Sequence, residues 1–256
     1  HNLLFIIIGI TIAFIFLIKK KNRFNLNFFL IAYFINFIAL LYFKNHDDFS
    51  YYHLSFITNI NLNKIEFGLS HFDVAFNHNS SLFYFHSLFN TYFTNDYFYH
   101  LGPYSIVIFT NAILLEKIFN DSKKNNLNTS FYLSLFFLVF INIFFYRLAE
   151  HGTDRSAQIL FFLAVILVVN MFDLKKFSNN TFELLLIIFT LIITIKSFYI
   201  LYSLLLFYVY LKYFKIKNLV SFLKSFPIIL FCFFTFSLMI VYNISLSGCL
   251  IYPLPA

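Results

Sequence analysis

The sequence predicts an all-α, polytopic membrane protein. It has about eight transmembrane helices and one long amphipathic extracytoplasmic loop, and it reads as a single integral membrane domain over residues 1–256. Three observations predict this. The chain is 61% hydrophobic and 11% charged, where a soluble domain carries about 45–50% apolar and about 25% charged residues. Its apolar runs are continuous, unlike the alternating segments of about ten residues in a transmembrane barrel. Its 5 Gly, 4 Pro and 2 Cys are too few for a disordered chain, a collagen-like repeat or a disulfide scaffold. A soluble enzyme is excluded on the same grounds.

The spans follow in order. The run 3–18 precedes Lys19, Lys20, Lys21 and Arg23. That is a stop-transfer pattern, not a signal peptide. The chain opens on His1 and closes after Pro255, and it reads as a piece of a longer protein. The further spans are 26–43, 103–119, 129–146, 156–172, 181–195, 197–214 and 226–246. A single helix over 181–214 would be roughly 51 Å long, against a hydrocarbon core of about 30 Å. The run is therefore divided at Lys196–Ser197. Cys232 and Cys249 are separated by roughly 25 Å of helical rise, too far for a disulfide.

Charge sets the orientation. With Lys19–Arg23 placed in the cytoplasm, the inner set is Lys19, Lys20, Lys21, Arg23, Lys117, Lys123, Lys124, Lys175, Lys176, Lys212, Lys215, Lys217 and Lys224. The outer set is Lys44, Lys64, Arg147, Arg155 and Lys196, completing the 18 basic residues. Inner excess is the positive-inside pattern. The net charge of +7 therefore reads as topology, and no basic stripe with interleaved aromatics points to nucleic acid. All 8 histidines fall outside, so the polar chemistry gathers on the extracytoplasmic face.

Residues 44–97 form the long outer loop, and long ordered loops are usually functional. Asp47 and Asp48 open it, as candidates for a general base. Phe49, Tyr52, Phe56, Ile57 and Ile60 then recur at helical spacing, which predicts a helix lying on the membrane surface with His53 near its start. Gly68–Asn79 reads as loop. A second helix is expected from Ser80 to about Phe93, capped by Asn79 or Ser80. The next outer loop crowds Arg147, Glu150, His151, Asp154 and Arg155 into nine positions. Such residues at membrane depth are paired or functional, and a guanidinium suits a phosphate. Lys196 is a second phosphate candidate. Tyr252 lies in the last outer segment, where Pro253 and Pro255 end the helix.

Asp47–Asp48 after an early span, followed by an amphipathic loop, resembles the first extracytoplasmic loop of GT-C superfamily glycosyltransferases. Tyr52–His53–Leu54, Asn77 to Ser81, and Ser247–Gly248 with Tyr252–Pro253 resemble a bacterial group of multi-pass proteins of this layout. The resemblance covers about residues 40–255; one extra span precedes the acidic loop. It implies an inverting transfer of a sugar from a polyprenyl-phosphate donor to an acceptor hydroxyl on a glycan or lipid. Asp47 or Asp48 would take the proton. Arg147, Arg155 or Lys196 would stabilise the leaving phosphate. His53, Asn79, Glu150, His151, Asp154 and Tyr252 would complete the substrate site.

No cofactor is expected. Asp47, Asp48, His53, His71 and His78 are ligand types for a divalent metal, but their spacing matches no zinc or iron motif. Two other readings compete. A transporter or flippase for a lipid-linked or anionic substrate would place ionisable residues and helix breaks near the midplane. Here the polar residues within spans are mainly Asn36, Asn111 and Asn142. A non-catalytic assembly subunit would be indifferent to neutral changes at Asp47 and Asp48.

Overall fold

The structure is a computed structural model. It describes residues 4–11, 26–41, 48–62, 67–89, 99, 101–144, 152–175, 178–213, 226–251 and 254–255. The architecture is all-α. Helix α1 covers 4–11. The order continues with α2 (Leu26–Leu41), a π turn (Phe49–His53), α3 (Leu54–Leu62), two 3-10 turns (Leu69–His71 and Val74–Asn77) and α4 (Ser81–Ser87). Then come α5 (Leu101–Lys123), α6 (Thr129–Phe144), α7 (Thr153–Asp173) and α8 (Asn179–Ile195). A 3-10 segment (Ser197–Ser203), α9 (Leu204–Tyr213), α10 (Phe226–Ser247) and a two-stranded antiparallel ribbon of β1 (Cys249–Ile251) and β2 (Leu254–Pro255) close the chain. Among the described helices, α5, α7 and α10 are long and apolar enough to cross a membrane. The protein is a helical membrane protein on that ground.

The chain gathers into two compact units. The first comprises 1–65, 82–126 and 135–152. Its core joins α2 to α5: Ala32 is fully buried beside Tyr104, Ile108 and Ala112. The two alanines are small enough to let helix backbones approach, as membrane packing favours. Aromatic rings flank them, Phe28 on Phe119 at 5.4 Å and Phe29 on Phe109 at 5.3 Å. The Tyr104 hydroxyl donates to the Tyr33 carbonyl at 3.1 Å.

Polar residues inside the apolar helices bond one another. Asn111 Nδ2 donates to Asn142 Oδ1 at 3.0 Å, and Asn142 Nδ2 returns a bond to Asn111 Oδ1 at 3.3 Å. Asn36 Nδ2 donates to the Ala32 carbonyl at 2.8 Å.

In the same unit the amphipathic stretch 49–60 buries its apolar face against protein. Phe56 and Ile57 are buried, and the Phe56 ring meets Phe83 of α4 at 5.3 Å. Its first turn is a π turn, which shifts the phase of the face. The expected helix from Ser80 toward Phe93 is a short one, Ser81–Ser87; residues from 90 on there, Tyr99 apart, lie outside the described residues.

The second unit comprises 66–81, 127–134 and 153–256. Its core is α7 against α8. Ala157 and Ala164 of α7 and Leu185 and Ile192 of α8 are fully buried. Helix α8 ends at Lys196, whose φ of −145° and ψ of 106° are extended. The division expected at Lys196–Ser197 is present. At the other end, Asp173 Oδ2 accepts from the Ser130 amide at 2.8 Å, capping the first turn of α6. Lys212 Nζ lies 4.2 Å above the Phe172 ring. The C-terminal end of α10 is capped at four successive carbonyls. Ser247 Oγ donates to the Asn243 carbonyl, the Gly248 amide to Ile244, the Gly68 amide to Ser245 and Ser70 Oγ to Leu246. Gly248 has φ +70°, the left-handed turn that ends many helices.

Candidate anion-binding cavity in the second unit

A cavity of about 270 Å³ opens where three segments of the second unit meet. Asn77, His78, Asn79 and Ser80 form one wall, Thr153 another, and Ile195, Lys196, Ser197 and Phe198 the third. Each segment is set there by local chemistry. The 67–80 loop is held by the bonds to α10 and by its own turns. Asp73 Oδ1 accepts from the Ala75 amide at 2.9 Å, which starts the 3-10 turn that ends at Asn77. Thr153 begins α7, where backbone N–H groups lack helical acceptors and the helix dipole is positive. Lys196 is exposed to the cavity because the chain leaves the helix there.

The electrostatics favour an anion. Lys196 is the cation in the wall, and the first turn of α7 adds a partial positive charge beside it; helix starts of this kind bind phosphate. Lys196 Nζ is paired with Asp154 Oδ1 at 2.5 Å, and the Asp154 side chain is 71% exposed. An exposed pair of this type contributes about 0–1 kcal/mol. A phosphate can therefore displace the carboxylate at small cost.

Asn79 is anchored at the back. Its Nδ2 donates to Asn243 Oδ1 at 2.9 Å, and Asn243 Nδ2 donates to the Leu250 carbonyl at 3.1 Å. Phe198 is 60% exposed and continues into an aromatic group, with Tyr199 at 6.3 Å and Tyr202 at 6.4 Å.

Of the residues the sequence marked, Asn79, Asp154 and Lys196 come together here. Arg155 is half-buried in the first turn of α7 and does not line the cavity. Asp48 and His53 belong to the first unit. Asp48 is half-buried just before the π turn. His53 is 2% exposed, its ring 4.4 Å from Tyr52 and 4.8 Å from Phe83. It is packed among aromatic rings. Asp47, Arg147, Glu150, His151 and Tyr252 lie outside the described residues.

The wall also contains Thr153 and Phe198, which the sequence reading did not assign, and Ser80, which it read as a helix cap. Asn243, which bonds Asn79 from outside the wall, had one signal: a lone amide near the end of an apolar run. Among the described residues, no three His, Cys, Asp or Glu side chains gather closely enough to hold a metal ion.

Comparisons with known proteins give one match. No curated protein and no solved structure matches the sequence. A family model for a domain of unknown function spans residues 1–256. The chain belongs to the DUF8201 family.

Proposed function

We propose that the protein is a membrane glycosyltransferase of GT-C type. It moves a sugar from a polyprenyl-phosphate donor to an acceptor hydroxyl, at the extracytoplasmic face of the bacterial inner membrane. The observation that carries this reading is the cavity that joins Lys196 to the first turn of α7 and to Asn77–Ser80. A cation, a helix start and neutral polar side chains in one wall suit a phosphate bonded to a hydroxylated group. In this reading Lys196 stabilises the charge that grows on the leaving phosphate. The base is Asp47 or Asp48, on the strength of the sequence resemblance. It accepts the proton of the acceptor hydroxyl as that oxygen attacks the anomeric carbon from the face opposite the phosphate. The eight-span arrangement belongs to the same proposal.

The mutual bonding of Asn111 and Asn142 supports this reading over a transporter, since these amides serve helix packing. The test is transfer of labelled sugar from polyprenyl-phosphate donors in membranes containing the protein, with Asp47→Asn and Asp48→Asn alongside. Transfer abolished by one variant, with insertion unchanged, is the expected result. Transfer indifferent to both variants, or absent with every donor, overturns the proposal.

A further inference from the structure

The loop that starts at Phe67 is tied to the end of α10. The Gly68 amide donates to the Ser245 carbonyl at 2.8 Å, and Ser70 Oγ donates to the Leu246 carbonyl at 2.8 Å. Helix α10 is long and apolar enough to cross a membrane. Its apolar side chains are exposed from Phe226 through Phe234 and Leu238 to Val241 and Ile244. The loop is therefore fixed at the level where a spanning helix ends, the boundary between hydrocarbon and headgroups. At that level Phe67 is 82% exposed, Phe72 89% and Val74 63%. Single exposed apolar residues are ordinary, but a cluster of them continuous with an exposed apolar helix marks a contact surface. The backbone of the loop is also suited to scarce water. The amides of Gly68, His71, Phe72, Ala75, Phe76 and His78 all donate within the protein. Unpaired backbone groups are costly where water is thin.

We propose that loop 67–74 dips into the leaflet in which α10 ends, with Phe67, Phe72 and Val74 among the upper acyl chains. His71, which is exposed, and Asp73, which is half-buried, stay at the headgroups. An irregular loop facing lipid does not enter the hydrocarbon core, so the insertion is shallow. The helix expected to lie on the membrane, over 49–60, instead buries Phe56 and Ile57 against protein. Loop 67–74 takes that place. The same loop runs on to Asn77–Ser80 in the cavity wall, so its insertion keeps the cavity at headgroup level. A lipid-linked ligand reaches the cavity there without leaving the bilayer. The inference concerns the surface of the loop and does not rest on the transferase reading.

The chain contains no Trp, so one introduced tryptophan reports alone. The reporters are Phe72→Trp in the loop and Phe234→Trp within α10, each in the whole chain reconstituted in phosphatidylcholine vesicles. The lipids carry bromine either near the glycerol end or near the tail end of the acyl chains, and iodide probes from the water. Emission from Phe72→Trp should be quenched several-fold more by bromine near the glycerol than by bromine at the tail ends, and it should be largely shielded from iodide. Phe234→Trp should show the reverse order, since position 234 lies roughly 16 Å of helical rise below Ser245. Where Phe72→Trp does not reconstitute, Val74→Trp reads the same loop. Quenching by iodide and not by bromine would put the loop in water and overturn the inference. Shielding from both would mean that protein covers the loop, a second copy or another part of the chain, and overturns it too. Quenching at the depth of Phe234→Trp would overturn the shallow insertion. Shallow quenching without sugar transfer would overturn the transferase reading and leave this inference standing.

Discussion

Lys196 and Asp154 form an ion pair at 2.5 Å that joins the break after α8 to the first turn of α7. The two are 42 positions apart in sequence, counting from 154 to 196. Each alone has an ordinary explanation. The carboxylate favours a helix start, and the lysine is a polar break in an apolar stretch. Together they make a cation that is held in place in a cavity wall without being buried. In the proposed function, Asp154 is the exposed anion that a phosphate would displace.

Asp154→Asn should therefore tighten inorganic phosphate binding, by up to about fivefold at low salt, because the competing carboxylate is gone. The gain should shrink toward nothing at about 0.5 M salt, where exposed charges are screened within a few ångströms. Isothermal titration of the purified protein measures both. Weaker binding in Asp154→Asn would mean that the carboxylate organises the site instead of occupying it.

Gly102 gives a prediction of opposite sign to helix propensity. An alanine within a helix normally gains about 1 kcal/mol over glycine. At Gly102 a Cβ would stand 2.5 Å from His86 Nε2 and 2.7 Å from its Cδ2. The His86 ring is fully buried and stacked on Tyr99 at 6.2 Å. Gly102→Ala should thus destabilise the protein by about 1–3 kcal/mol, the usual cost of overpacking. Denaturant unfolding in detergent reads this directly, and a stabilised variant would show that the histidine moves.

Gly248→Ala isolates backbone strain. Nothing lies within 4 Å of a Cβ at that position, and φ is +70°. The expected cost is about 1–2 kcal/mol, from the left-handed conformation alone. A thermal melt should show the loss, and Gly248→Asn should recover part of it, since asparagine tolerates this region better than alanine.

These residues mark where sequence reading reaches and where it stops. The helix break at Lys196 was legible because length is a hard limit: a 34-residue span does not fit the membrane. The periodicity from Phe49 to Ile60 correctly selected Phe49, Phe56 and Ile57 as a buried face. It gave no information on what covers that face, and Phe83 on α4 fills the place expected of the membrane. The charges crowded between Arg147 and Arg155 read as either internal pairs or a phosphate contact. Asp154 pairs with Lys196 on another segment, and no local spacing encodes that. Ser247–Gly248, read as part of a motif, acts in the structure as the cap of α10. Asn243 went unassigned because a single amide in an apolar run has no partner until the fold brings Asn79 to it.

The Asn111–Asn142 pair makes the last prediction. Each amide both donates to and accepts from the other, and Asn111 is 1% exposed. Replacing one member leaves the other with unmet polar atoms among apolar helices, whereas replacing both removes the need. Hydrogen bonds between membrane helices average only about 0.6 kcal/mol. The single variants should nevertheless cost about 1–3 kcal/mol, because the orphaned partner adds its desolvation. The double variant Asn111→Leu/Asn142→Leu should lie closer to wild type than the sum of the singles. A double-mutant cycle by unfolding in detergent measures the coupling directly. Strict additivity would show that the two amides do not depend on each other. It would also withdraw their packing role as an argument against a transporter.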